Sequence, residues 1–101
     1  MIIVTVKYSV KPGCRDKVME YAKEIVRHSR TEKGCLAYDQ LPSTENDEDI
    51  FILEKWETKE DLVAHLQTPQ YKEFCANREP YFVEGSRSLQ IFEANEISIT
   101  F

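Results

Sequence analysis

The sequence predicts an α+β domain in the order β-α-β-β-α-β, its four strands in one antiparallel sheet with the helices on one face. Three observations carry this reading. The opening run alternates with a period of two, and the next segment switches to a helical period. Two further strand-like runs then flank a polar turn, and a doubly capped helical region leads into a last strand.

In IIVTVKYSV, Ile2, Val4, Val6, Tyr8 and Val10 point one way and Ile3, Thr5, Lys7 and Ser9 the other, the mark of a half-buried strand. Pro12-Gly13 ends it. From about Asp16, Val18, Ala22, Ile25, Val26 and Ser29 form the apolar stripe of a helix. Gly34 stands after that helix, where a left-handed residue is expected. CLAYDQL (35–41) predicts the second strand and PSTENDED (42–49) an exposed turn. IFILEKW (50–56), apolar on both sides at first, predicts a central third strand. Thr58 with Asp61 reads as a capping box over a short helix through EDLVAHL. Thr68-Pro69 restarts a helix, with threonine as cap and proline in the first turn, where no amide donor is needed. Tyr71, Phe74, Cys75 and Arg78 share one side of this piece. Pro80 and Gly85 close the helical region, SLQIFEA (88–94) predicts the fourth strand, and NEISITF (95–101) is a tail with strand propensity. The order is that of a ferredoxin-like fold, and helices on one face leave the other face of the sheet bare.

Length and composition fit one domain over 1–101, with 95–101 as a C-terminal tail. The net charge of −5 and the lack of any Lys/Arg run argue against nucleic acid or an anionic membrane as partner. No apolar stretch approaches a membrane span, and the N-terminus reads as a strand rather than a secretory signal. Cys14, Cys35 and Cys75 are odd in number and widely spaced, which fits free thiols in a cytoplasmic protein. Two distant histidines, His28 and His65, give no metal-ligand pattern, so no metal is expected.

His65 is the first candidate for chemistry. An imidazole titrates near neutrality and can take a proton from a phenolic or enolic hydroxyl. Leu62, His65 and Leu66 share a helix face, with Tyr71 a turn beyond. A core histidine with both nitrogens bonded is the other reading. Trp56 reads as a stacking wall for a flat substrate or as a strand-end core aromatic. Glu54, on the same strand face, either orients His65 or anchors the following helix, and anchoring is the expectation. Tyr38, Tyr71 and Phe74 supply aromatic surface for a substrate or for packing, and Arg87 either meets a substrate oxyanion or is an exposed strand-end residue.

The Gly34-Cys35-Leu36-Ala37-Tyr38 start, the Phe51–Trp56 strand with its Glu54-Lys55-Trp56 ending, and the stretch from Ala64 through Thr68-Pro69 to Phe74 together carry a resemblance. They resemble the antibiotic biosynthesis monooxygenase family, dimeric α+β barrel proteins, from the opening strand to about Ala94. The resemblance implies a homodimer with sheets packed face to face and a pocket in each subunit between sheet and helices. It implies one of several activities: oxidation of quinols or anthrones by O2 without cofactor, haem degradation, or isomerisation of a small sugar derivative. Haem-degrading members use an asparagine on the first strand and a histidine after the Thr-Pro region. This chain has neither, which speaks against haem. The resulting expectation is a cytoplasmic, cofactor-free homodimer that oxidises a small aromatic quinol, polyphenol or anthrone with O2. His65 would be its base and Trp56, Tyr71, Tyr38, Arg87 and Phe74 would hold the substrate. The alternatives are an isomerase of a small phosphorylated or hydroxylated ketone, with Arg87, Arg78 or Lys72 meeting the phosphate, and a non-catalytic dimeric binding module.

Overall fold

The alternation at the N-terminus places Ile2, Val4, Val6 and Tyr8 in the core along strand β1 (Ile2–Ser9) in the computed structural model, which describes residues 1–101. Helix α1 (Arg15–Ser29) buries Val18, Ala22, Ile25 and Ser29 from the expected stripe. Strands β2 (Cys35–Pro42) and β3 (Asp49–Trp56) follow, then helices α2 (Lys59–Leu66) and α3 (Pro69–Arg78), a 3-10 turn at Glu79–Tyr81, and β4 (Ser88–Glu93). The four strands form one antiparallel sheet in the order β2-β3-β1-β4, so β3 is central as its apolar character requires. This is a ferredoxin-like α+β fold, and no helix in it is long and apolar enough to cross a membrane.

Cross-strand pairing sorts the sheet into rows whose side chains share a face. One row under the helices runs Tyr38, Glu54, Val4, Ile91; the next runs Gln40, Ile52, Val6, Leu89. The opposite face carries Leu41, Phe51 and Phe92, all exposed, beside Thr5, Lys7 and Gln90. Beyond β4 the chain makes one backbone pair, Ala94 with Met1, and then runs free with Ile97, Ile99 and Phe101 exposed.

Both helix starts are capped by threonine: Asp61 N donates to Thr58 Oγ1 at 3.1 Å and Tyr71 N to Thr68 Oγ1 at 3.2 Å. At Thr58 only this half of the capping box is made. The Asp61 side chain lies instead against Gly34, whose carbonyl accepts from Glu57 N at 2.8 Å. Gly34 has φ +78°, and a Cβ there would stand 2.8 Å from the Asp61 Cβ and nearer still to its carboxylate. The turn after α1 therefore docks against the start of α2 only because residue 34 lacks a side chain.

Gly13 has the same φ, +78°, with nothing within 4 Å of its would-be Cβ, and so serves as a control. Gly13→Ala is expected to cost the left-handed strain alone, about 1–2 kcal/mol. Gly34→Ala should lose roughly 1–3 kcal/mol more through overpacking against Asp61. Urea unfolding of both variants measures this, and equal losses would show that Asp61 moves aside freely.

Candidate functional site

The helices do not cover the sheet evenly. Helix α1 packs on β2 and α3, and α2 packs on β3 and α3, which leaves the inner side of β4 without a helix over it. Leu89 and Ile91 point to the helix side yet stay 47% and 53% exposed. The uncovered space is a narrow cleft of about 70 Å³, partly open to solvent. Its floor is Val4, Val6 and Ile52, and Leu89 and Ile91 form its outer edge. Leu62, Leu66, Tyr71 and Phe74 roof it. Three charged residues line this largely apolar space: Glu54, Arg78 and Arg87.

A buried polar chain stands behind Glu54. The His65 side chain is fully enclosed, with Trp56 at 4.8 Å, Tyr71 at 5.2 Å and Tyr38 at 5.4 Å between ring centroids. Its Nδ1 lies 2.6 Å from Glu32 Oε1, from the turn after α1. Its Nε2 has no hydrogen-bond partner and faces Glu54 Oε1 at 4.0 Å. The indole Nε1 of Trp56 donates to that same Oε1 at 3.0 Å. A carboxylate can only accept, so the bond to Glu32 requires the proton on Nδ1, and Nε2 is the ring nitrogen turned toward Glu54.

The structure thus brings Tyr38, Tyr71, Phe74 and Arg87 to the cleft wall and sets Trp56 and His65 one layer behind it. Trp56 is fully buried and contacts the site through its bond to Glu54. Lys72 is exposed on α3, away from the cleft, whereas Arg78 lines it. Glu54 is more than an anchor, since it is the one carboxylate on the wall. Sequence reasoning missed Glu32 altogether, because it lies 33 residues from His65 and no local spacing connects them. No three His, Cys, Asp or Glu side chains group as a metal site.

Burial pushes the Glu54 carboxyl above its usual range, against the opposing pull of the Trp56 hydrogen bond and His65. Burial likewise raises the Tyr38 phenol, and it pushes Tyr71 up to about 12. Both phenols therefore keep their protons near neutrality. Arg78 lies over the rings of Tyr8 at 4.7 Å, Phe74 at 5.1 Å and Phe82 at 5.6 Å, a cation–π cage on the cleft wall.

The raised Glu54 value makes a stability prediction. The folded state holds this proton more tightly than the unfolded chain, so the contribution is complete below the ordinary pKa of 4.5 and is lost as pH rises through the folded value. Glu54→Gln cannot titrate. Its unfolding free energy relative to wild type should rise with pH across that window and level off above it, as read from urea midpoints over a pH series. A difference that stays flat or falls would refute the burial argument.

Residues 1–77 match the family model described as antibiotic biosynthesis monooxygenase. The Bacillus subtilis (strain 168) protein named "Putative monooxygenase YcnE" is 30% identical over 76 residues, which span 75% of this chain and 80% of that protein. Among solved structures, a Bacteroides thetaiotaomicron protein of unknown function, described as a possible oxidoreductase, is 30% identical with TM-score 0.83, covering 92% of this chain and 96% of that one. A Nitrosomonas europaea structure described as "Putative antibiotic biosynthesis monooxygenase" reaches TM-score 0.87 at 23% identity over 93% of this chain and 98% of its own, a likeness that speaks for the fold alone. The pattern over 1–77 and the shared fold lead to one conclusion: the chain belongs to the antibiotic biosynthesis monooxygenase family.

Proposed function

We propose that this protein is a cofactor-independent monooxygenase of a small aromatic hydroxyl compound, a quinol, polyphenol or anthrone. The observation that carries the reading is one buried carboxylate, Glu54, on the wall of an apolar cleft with an unpartnered imidazole nitrogen behind it. Glu54, and not His65 directly, takes the substrate hydroxyl proton, because the imidazole is sealed from the cleft. A carboxyl held above its usual pKa is the stronger base once ionised. His65 and Glu32 then steady the protonated and ionised forms of Glu54 from behind. The substrate anion yields an electron to O2, itself an apolar ligand suited to this cleft. One oxygen atom ends on the ring carbon, and the other leaves as water with two substrate hydrogens. The name of the Bacillus subtilis relative supports an oxygenase.

The isomerase alternative uses the same base on a phosphorylated ketone, and Arg78 and Arg87 on the wall are the observation in its favour. The binding-module alternative requires a pocket filled by its own aromatics and a fully bonded His65. The open cleft and the unpartnered Nε2 speak against it.

We also infer a cytoplasmic homodimer. Three free cysteines suit a reducing compartment. Leu41, Phe51 and Phe92 on the bare sheet face, and the apolar tail beyond it, expose more apolar surface than a monomer retains comfortably. A second copy covering both would bury them symmetrically.

Oxygen uptake with a panel of quinols and anthrones tests the activity. Wild-type uptake should climb with pH through the raised Glu54 value. Glu54→Gln should lose roughly a hundredfold or more, and His65→Ala should fall as well, with folding checked by circular dichroism. Uptake equal to buffer alone, or indifferent to Glu54→Gln, would sink the proposal. Light scattering tests the dimer: wild type should have twice the chain mass, and truncation before Asn95 should weaken the association. A truncated chain of unchanged mass and stability would exclude a tail role.

A further inference from the structure

The chain has five arginines, and three of them are satisfied by oxygen acceptors. Arg15 donates to the carbonyls of Ser43, Asn46 and Asp49, Arg27 pairs with Glu24, and Arg30 pairs with Asp39 and the Tyr38 carbonyl. Arg78 and Arg87 have no carbonyl or carboxylate partner, in a protein with 18 acidic residues to 13 basic ones. Both line the cleft. The buried Nε of Arg78 has no acceptor, although its guanidinium is held by three aromatic rings. Apart from a long contact of Nη2 with Cys75 Sγ at 4.0 Å, the cation–π cage holds the group without using its in-plane N–H donors, which leaves them for a planar anion.

The strand register says where this cationic end lies. Ser88 pairs with Lys7, so Arg87, one residue earlier, stands level with Tyr8, whose ring carries Arg78 at 4.7 Å. Glu54 pairs with Val4. Val4 and Tyr8 are four residues apart on β1, a separation of about 13 Å. Between these levels the cleft is floored by Val6, Ile52 and Leu89. The cleft is therefore bipolar, with a carboxylate end and a di-arginine end joined by an apolar floor.

We propose that the ligand of this cleft is an elongated apolar molecule with an acid group, carboxylate or phosphate, seated on Arg78 and Arg87. Its ionisable hydroxyl lies on the order of 10 Å away at Glu54. A single-ring quinol without an acid group is too short to span both ends. This inference rests on the cleft being the substrate site, as the proposed activity does, but not on oxygen chemistry.

Calorimetric titration with 6-hydroxy-2-naphthoate, 2-naphthyl phosphate and neutral 2-naphthol tests it by binding alone. Wild type should bind at least one acid roughly tenfold or more tightly than 2-naphthol, as charge-assisted bonds to a guanidinium pair allow. Arg78→Gln/Arg87→Gln should bring that ratio near one. Should the double variant fail to fold, Arg87→Gln alone, exposed and bonded to nothing, should still lower the ratio severalfold. Preference for either acid supports the proposal and names the acid. A wild-type ratio near one, a ratio that survives the substitutions, or no binding of any probe overturns it. An intact acid preference without oxygen uptake would remove the oxygenase reading and leave this one standing, and uptake without acid preference would do the reverse.

Discussion

Burying an imidazole obliges the surrounding chain to answer for two ring nitrogens, and at His65 two segments do so, the turn after α1 with a hydrogen bond and β3 with a carboxylate facing the second nitrogen. Glu32 arrives from the turn after α1 to take Nδ1 at 2.6 Å, and Glu54 from β3 faces Nε2 at 4.0 Å. Trp56, two residues along β3, occupies Glu54 Oε1 from the side. An unsatisfied buried polar group costs about 1–3 kcal/mol, so the arrangement resists drifting apart. The same contacts decide how α2 sits on the sheet and how the post-α1 turn meets it. Gly34 is needed for the same reason, since that turn must approach the start of α2 closely enough to bring Glu32 to the ring. Fold and site are joined at this one side chain.

The second constraint is coverage. One face of a four-stranded sheet needs more apolar roof than α1, α2 and α3 supply, and the shortfall lies over β4. A protein selected for stability alone would close this gap with a larger side chain or a longer helix. Here the gap is lined on its floor by Val and Ile and retains Glu54, Arg78 and Arg87 on its walls. Glu54 and Arg78 are partly withdrawn from water there, and a ligand matching the two ends would offset that cost.

Much of this architecture was legible in the sequence. The period of two in IIVTVKYSV, the stripe from Val18 to Ser29 and the two threonine caps act over a few residues, so local pattern reveals them. His65 was legible as a residue on the inward stripe, but its direction was not. Whether it opens to the cleft or sits behind it depends on Tyr38, Trp56 and Tyr71, which come from three different elements. Glu54 could be placed on the Trp56 face by the strand period, yet its position on the cleft wall follows from what β4 leaves uncovered. Glu32 carried no signal, being one acid in a polar turn. The pairing of Arg78 with Arg87 appears only once the β1–β4 register sets both at the level of Tyr8.

The layering has a chemical consequence that a histidine at the cleft wall would not have. An imidazole facing the ligand would present its own proton or lone pair at a fixed angle and would be open to solvent whenever the cleft was empty. Set behind a carboxylate, it meets no solvent, and its Nε2 faces Glu54. Glu54 then faces two opposing influences. Burial resists its ionisation, while the Trp56 N–H and His65 support the ion once formed. Burial is the larger of these influences, so the carboxyl stays above its usual range. A stronger hydrogen-bond set would lock Glu54 as a permanent anion with little appetite for a proton, and a fully apolar shell would lock it neutral. The indole N–H at 3.0 Å and the imidazole at 4.0 Å oppose the burial without overcoming it.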